Sequence, residues 1–143
     1  MKFLPAFFTA GSAMIFLFIG IAGFAIPIEF LSTFGLPAEG PAGVSEIRAQ
    51  YGGFFIAFSI FLIYCFLRRE YYTALLLHTL VLLGINLGRL ISLIVDGFHT
   101  FAGYTQFHQI WTIVVDPVGL IAGLLGLWII KKLKNSSTMH VTK

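Results

Sequence analysis

Four long apolar runs take up most of the chain, and nearly all of the charged residues lie between these runs or at their ends. A helix needs ~20 apolar residues to cross the ~30 Å hydrocarbon core of a bilayer. Only 10% of the 143 residues are charged, whereas soluble domains have roughly 25%. The pattern therefore predicts membrane-spanning helices over about residues 3–28, 46–67, 71–95 and 109–130.

The two ends of these predicted helices carry opposite charge. At one end Glu70 is the one acidic residue, and the basic residues there are Lys2, Arg68, Arg69, Lys131, Lys132, Lys134 and Lys143. The other end has Glu29, Glu39, Glu46, Asp96 and Asp116, with the basic residues Arg48 and Arg89. Because basic loops remain in the cytoplasm, we predict an all-α, antiparallel four-helix transmembrane bundle with both termini cytoplasmic.

The chain is expected to form a single domain over residues 1–134, followed by a polar cytoplasmic tail over residues 135–143. The Pro- and Gly-rich segment 32–45 predicts one outer loop and residues 97–108 a second. The first apolar run exceeds the ~7–15 residues of a signal-peptide core, so we expect it to remain as a helix. The basic residues lie at helix ends, which favours a multi-pass protein of the bacterial inner membrane over a nucleic-acid partner.

Small residues recur at helical spacing in three of the runs, where they allow helices in lipid to pack closely. They are Gly20 and Gly23, then Gly52, Gly53 and Ala57, and finally Gly119, Gly123 and Gly126. Two interpretations remain open. These faces pack inside one bundle, or they form the seam of a homo-oligomer or a larger membrane complex.

The third predicted helix carries a polar stripe. At 100° per residue, His78, Arg89 and Asp96 fall within about 20° of one another, with Asn86 beside them. A charged side chain facing lipid costs ~2.5–3.5 kcal/mol or more, so this stripe should face the bundle. Arg89 and Asp116 lie at similar depths, about 9 and 10 Å from their helix ends. We therefore predict that they pair, either as part of a site or simply to join two helices.

Further polar residues lie at the same end of the bundle. Glu46 and Gln50 share a face of the second helix, while Arg48 points elsewhere. The predicted ligand-binding residues are Glu46, Arg48, Gln50, Asn86, Arg89, Asp96 and Asp116. His78 is expected either to hydrogen-bond across the bundle or to join a proton relay with Arg89 and Asp96.

A divalent metal is an alternative ligand for this end of the bundle. Asp96, His99 and His108 are residue types that bind metals, but a zinc site needs three or four converging ligands. The competing interpretation is that His99 and His108 are solvated at the membrane interface. No other cofactor is expected.

The sequence has no established catalytic signature, because it lacks a phosphate-binding loop, an H-E-x-x-H motif and a nucleophile elbow. Three functions remain open. The first is binding or transport of a small polar or lipid ligand. The second is an enzyme acting on a lipid or isoprenoid. The third is a structural or accessory subunit of a membrane complex.

Three segments of the chain resemble a known family. They are Glu46-Ile47-Arg48-Ala49-Gln50-Tyr51-Gly52-Gly53, Gly88-Arg89-Leu90-Ile91-Ser92 and Asp96-Gly97. The chain is similar along almost its whole length to small bacterial four-helix membrane proteins grouped as a domain of unknown function, serial number 4345. The resemblance implies the architecture and no substrate. A weaker similarity to four-helix eicosanoid and glutathione enzymes breaks down where Tyr51, Gly52 and Gly53 replace the Asn and Glu of that pattern.

The charge asymmetry predicts the orientation of the chain in the membrane. Cysteines introduced at Gly40 and Gly103 should lie outside the cytoplasm, because both positions fall in loops at the acidic end. We expect both to react with membrane-impermeant thiol reagents added to intact cells. Labelling that occurs only after lysis would reverse the orientation.

Overall fold

The structure, a computed structural model, describes residues 3–36, 40–97 and 105–139, including the side chains up to residue 134. It contains five helices in these ranges. They are α1 (Leu4–Ala25), α2 (Pro27–Thr33), α3 (Gly40–Leu67), α4 (Tyr71–Asp96) and α5, which runs from Gln106–Ile110 through Trp111–Val115 into Asp116–Met139. The long helices α1, α3, α4 and α5 form the predicted all-α, antiparallel four-helix bundle.

These four helices are long and apolar enough to cross a membrane, as expected of a membrane protein. Their outward side chains agree with that environment, since Phe18 is 73% exposed and Ile94 and Val95 are each 74% exposed. So many large apolar side chains exposed on one surface would be unfavourable in water. We call the end with Arg68, Arg69 and Lys131 the basic end, and the end with Glu29, Glu46 and Asp96 the acidic end.

The first helix ends earlier than the sequence pattern predicts, at Ala25 instead of near Ile28. Pro27 explains the difference, because a proline disfavours helical geometry in the residue before it. Ile26 accordingly adopts φ −130° and ψ 57°. The short helix α2 then starts at Pro27 and buries Phe30 and Leu31 against Ile47 of α3 at the acidic end of the bundle.

The second membrane helix starts earlier than predicted. Its first residue is Gly40, so the part of the predicted loop from Gly40 to Ser45 is helical. Gly40 has a φ of +66°, which glycine adopts without strain. Pro41 follows at the start of the helix, where its missing N–H leaves no hydrogen bond unmade. The Gly and Pro residues that predicted a loop are thus compatible with a helix start.

Two differences also separate α5 from its predicted range of residues 109–130. The helix starts at Gln106, because the side chain of Thr105 caps it by accepting a hydrogen bond from the His108 N–H at 3.2 Å. At its other end the helical backbone continues to Met139, into the segment predicted to be a polar tail.

The bundle consists of two closely packed helix pairs. Helix α1 packs mainly against α3, and α4 packs mainly against α5. The main core lies between the pairs toward the basic end and buries Phe16, Phe58, Leu62 and Leu82. A hydrogen bond from Ser59 Oγ to the Ala13 carbonyl, at 2.8 Å, joins α1 to α3 within this region.

Glycines form the contact within each pair. An added Cβ at Gly20 would lie 2.8 Å from the Ile56 backbone nitrogen, and one at Gly23 would lie 2.8 Å from Tyr51 Cβ. In α5, an added Cβ at Gly119 would lie 2.8 Å from a Leu82 methyl group, and one at Gly126 would lie 2.7 Å from a Leu75 methyl group. These glycine faces therefore pack inside the bundle, as the first of the two interpretations predicts.

Replacing a glycine at this contact should destabilise the bundle. Gly20→Ala would push a methyl group into the α3 backbone, which we expect to cost about 1–3 kcal/mol. Gly11→Ala is the matched control, because nothing lies within 4 Å of an added Cβ there. That control should be neutral or stabilising by up to ~1 kcal/mol through helix propensity. The measurement is the free energy of unfolding in mixed detergent micelles, and equal effects of both variants would contradict close α1–α3 packing.

Candidate functional site

A cavity of about 1020 Å³ lies between the α1–α3 pair and the α4–α5 pair. It extends from Phe7 and Leu75, toward the basic end, to Phe34 and Trp111 at the acidic end. The cavity is not enclosed, and Phe7 and Leu80 in its lining have 72% and 53% of their surface exposed. A molecule dissolved in the hydrocarbon of a membrane would therefore have a route into it.

Most of the cavity wall is apolar, and aromatic rings form much of it. Phe16 stacks on Phe55 with ring centroids 5.4 Å apart, and Tyr51 lies 6.2 Å from the same ring. Such rings offer large, rigid apolar surface to a ligand. The wall therefore resembles the lining of a site for a hydrophobic molecule.

Six polar side chains interrupt this apolar lining, and four of them come from α4 and α5. They are Ser12, Gln50, His78, Arg89, His108 and Asp116, and the aromatic residues Tyr51 and Trp111 add a hydroxyl and an indole N–H. Of the six, all but Ser12 and His78 lie toward the acidic end. The cavity thus has a long apolar part and a shorter polar part.

The charged centre of the polar part is an ion pair between Arg89 Nη1 and Asp116 Oδ2. The pairing predicted from helix depth is therefore confirmed. The Asp116 side chain is 8% exposed and the Arg89 side chain 28% exposed. An unpaired charge within a membrane-spanning helix is costly, so each residue stabilises the other.

His108 forms the wall of the cavity at the acidic end. It is buried, and its Nδ1 lies 2.8 Å from the Phe34 carbonyl oxygen. Its ring also packs edge-on against the Phe34 ring at 5.1 Å. The expectation that His108 is solvated at the interface is therefore wrong, because the capped start of α5 turns this residue inward against α2.

His78 lies deeper, on the side of the cavity toward the basic end. Its Nε2 lies 3.2 Å from the Gly119 carbonyl oxygen, which confirms the expected hydrogen bond across the bundle. Its Nδ1 is buried and has no hydrogen-bond partner among the described residues, and the same holds for Thr112 Oγ1. Buried polar atoms are seldom left without a partner, so both atoms are exceptions, and that of His78 belongs to a residue that lines the cavity.

Two π-helical turns contribute residues to the cavity lining, one over Arg48–Gly53 in α3 and one over Trp111–Val115 in α5. In each, a backbone N–H donates to the carbonyl five residues earlier, from Phe54 to Ala49 and from Asp116 to Trp111. In the first turn, Gly52 and Gly53 have low α-helix propensity. Just after the second turn, Pro117 has no backbone N–H to donate to the regular α-helical hydrogen-bond pattern. Such turns are frequent at functional sites.

The structure brings only some of the predicted site residues to the cavity. Arg89, Asp116 and Gln50 line it, together with the two histidines. Glu46 and Arg48 are exposed on α3, and Glu46 accepts a hydrogen bond from Gln50 Nε2 at 3.2 Å, as their shared face predicts. These two side chains are outside the cavity lining.

The remaining predicted ligand-binding residues are also outside the lining. Asn86 Nδ2 donates to the Leu82 carbonyl of its own helix at 2.8 Å, and Asp96 is exposed at the end of α4. The metal hypothesis joined Asp96 and His108 to His99, and His99 lies outside the described residues. Within the described ranges, no group of three His, Cys, Asp or Glu side chains is arranged to hold a metal ion.

Sequence reasoning missed the aromatic wall and both π turns. The 16 Phe residues of the chain are spread over several helices, and an apolar residue facing a cavity has the same pattern as one facing lipid. The Gly52-Gly53 pair and Pro117 are the signals that point to the irregular turns.

A family model described as "Domain of unknown function (DUF4345)" matches residues 6–114, well over half of the 143 residues. The chain belongs to the DUF4345 family. The matched range includes Arg89 and ends at Val114, before Asp116, so it covers nearly all of α1, all of α2 to α4, and α5 from its start through most of its π turn. Neither the comparison with curated proteins nor that with solved structures gave a match.

Membership of DUF4345 confirms the resemblance found in the sequence, and it assigns no activity to the cavity. The residues that carry the resemblance in the sequence have different positions in the structure. Arg89 faces the cavity, Glu46 and Arg48 are exposed beside it, and Tyr51 contributes to its aromatic wall.

Removing one member of the ion pair should destabilise the protein more than removing both. We expect Arg89→Leu to cost ~3–5 kcal/mol, because it leaves Asp116 charged and buried. Asp116→Leu should cost less, since the Arg89 side chain left behind is the more exposed of the two. The double variant should recover part of the loss. A double-mutant cycle on unfolding free energies measures this, and strictly additive losses would show that the pair contributes no coupling.

Proposed function

We propose that this protein binds an amphipathic, lipid-like molecule inside the bundle, with the apolar part of the ligand in the cavity and its polar end near Arg89, Asp116 and His108. The cavity of about 1020 Å³ carries the proposal. Ligand sites typically have volumes of ~300–1,000 Å³ and mostly apolar walls with a few placed polar groups. The distribution of polar side chains toward the acidic end supports the assignment of the ligand's two parts.

The cavity favours binding over a purely structural role. Helices in lipid gain stability from close packing, as at Gly20 and Gly126, and a gap between two helix pairs forgoes that packing. A bundle selected for stability alone would fill the gap with larger side chains. The cavity is open, and exposed apolar residues such as Phe7 and Leu80 are in its lining, which supports entry from the hydrocarbon region. Membrane lipid is therefore the proposed source of the ligand.

We further propose that the protein is a multi-pass component of the bacterial inner membrane. The basic residues at the ends and turn of the bundle support cytoplasmic termini. In that orientation, the polar part of the cavity faces the periplasmic side. Transport of the ligand would start with the ligand bound in the cavity. An enzymatic reaction on a lipid or isoprenoid would start from the same complex.

Filling the cavity should abolish binding. Gly84 lines it, and nothing lies within 4 Å of an added Cβ. Gly88, one turn further along α4, is equally open but lies outside the cavity lining, so Gly84→Leu and Gly88→Leu form a matched pair. The probe is a dibrominated stearyl alcohol, whose bromine atoms quench Trp111 in the cavity wall. A Trp128→Phe background leaves Trp111 as the one tryptophan, since the chain has two.

We expect saturable quenching in the background protein, unchanged affinity in Gly88→Leu, and affinity about tenfold weaker or more in Gly84→Leu. The protein is kept in nanodiscs so that general partition of the probe into lipid is the same for all variants. Equal quenching curves for the background protein and Gly84→Leu would show that the probe reaches Trp111 only from the surrounding lipid, and the proposal would fail.

A further inference from the structure

Within the described ranges, Arg89 and Asp116 are the two residues with full formal charges that line the cavity, and they form an ion pair with each other. We infer that the cavity selects amphiphiles whose polar end is uncharged, such as long-chain alcohols or esters, and that Asp116 sets this selectivity by neutralising Arg89. The inference rests on the proposed function and specifies the class of ligand.

The exposures of the two side chains support this division of roles. Both residues line the cavity, and the Arg89 side chain, at 28% exposed, is the more accessible of the two. The Asp116 side chain is 8% exposed and balances the Arg89 charge from the α5 side. Without Asp116, the charge of Arg89 would lose the carboxylate that balances it in this structure, and the cavity would favour a carboxylate ligand. With Asp116 present, an anionic ligand would lose its hydration and gain no net opposite charge.

The other polar groups of the cavity fit an uncharged partner. Gln50, His78 and His108 bear amide and imidazole groups, which hydrogen-bond to hydroxyl and carbonyl groups. His78 and His108 are each held in place by a backbone carbonyl, of Gly119 and Phe34 respectively. These residues place uncharged polar groups at two depths of the cavity.

The first experiment compares three dibrominated stearyl probes that share one chain and differ in the polar end. They are the alcohol, the methyl ester and the carboxylic acid, the last measured at alkaline pH where it is ionised. The readout is quenching of Trp111 in the Trp128→Phe protein in nanodiscs. We expect similar affinities for alcohol and ester, and an affinity for the carboxylate about tenfold weaker or more.

The possible outcomes separate this inference from the proposed function. Saturable binding of the carboxylate as tight as that of the alcohol would overturn the selectivity and leave the proposed site intact. Absence of saturable binding by any of the three probes would overturn the proposed function and this inference together.

The second experiment assigns the selectivity to Asp116. Asp116→Asn keeps the size of the side chain and removes its charge, so the carboxylate should gain about tenfold in affinity relative to the alcohol. Glu29→Gln is the matched control, because Glu29 is an exposed carboxylate at the same end of the bundle and lies outside the cavity lining. It should leave the ratio unchanged.

A variant that lacks both charges is the control for the case in which Asp116→Asn misfolds. In Arg89→Gln/Asp116→Asn both charges of the pair are removed, so the preference for alcohol over carboxylate should return to that of the background protein. Circular dichroism reports whether each variant is folded. A folded Asp116→Asn with an unchanged ratio, or a double variant that prefers the carboxylate, would refute the role of Asp116.

Discussion

Glycine residues let α1 approach α3, and let α5 approach α4, more closely than larger side chains would permit. In lipid there is no hydrophobic drive to bring helices together, so packing of this kind carries much of the stability. The contacts at Gly20 and Gly23 fix one pair, and those at Gly119, Gly123 and Gly126 fix the other. Because the closest contacts are within pairs, space remains between the pairs, and the cavity occupies that space.

The same low-polarity surroundings control the chemistry of the cavity. Arg89 and Asp116 can be accommodated in the bundle because they meet, and their meeting joins α4 to α5 close to the π turn of α5. One interaction therefore has three consequences. It satisfies two charges, it connects two helices at the acidic end, and it leaves the polar part of the cavity without net formal charge among the described residues.

The fold was largely predictable from the sequence because the length of an apolar run and the position of its flanking charges are direct consequences of a bilayer. The Arg89–Asp116 pair was predictable for a related reason, since a charge deep in a helix needs a partner at the same depth. The inward position of His108 was not, because it depends on the cap at Thr105 and on contact with Phe34 in a distant helix.

The cavity itself was beyond sequence reasoning. In a soluble protein, an apolar face predicts the inside, but in a membrane apolar residues face lipid, core and cavity alike. Phe16, Phe54 and Phe55 are therefore indistinguishable by pattern from outward-facing Phe18. Only the separation of the helix pairs, a property of the whole bundle, assigns them to the cavity wall.

The π turns have a consequence for how chains of this architecture can vary in length. A π turn accommodates an additional residue within an otherwise α-helical segment, while the side chains of the helix on either side keep the same orientation toward neighbouring helices. Loss of a single residue from Trp111–Val115 would therefore restore regular α-helical geometry, with Gly119 and Gly123 still directed at α4. These turns are the places inside the membrane where insertions and deletions can be absorbed, a freedom that most soluble proteins confine to surface loops.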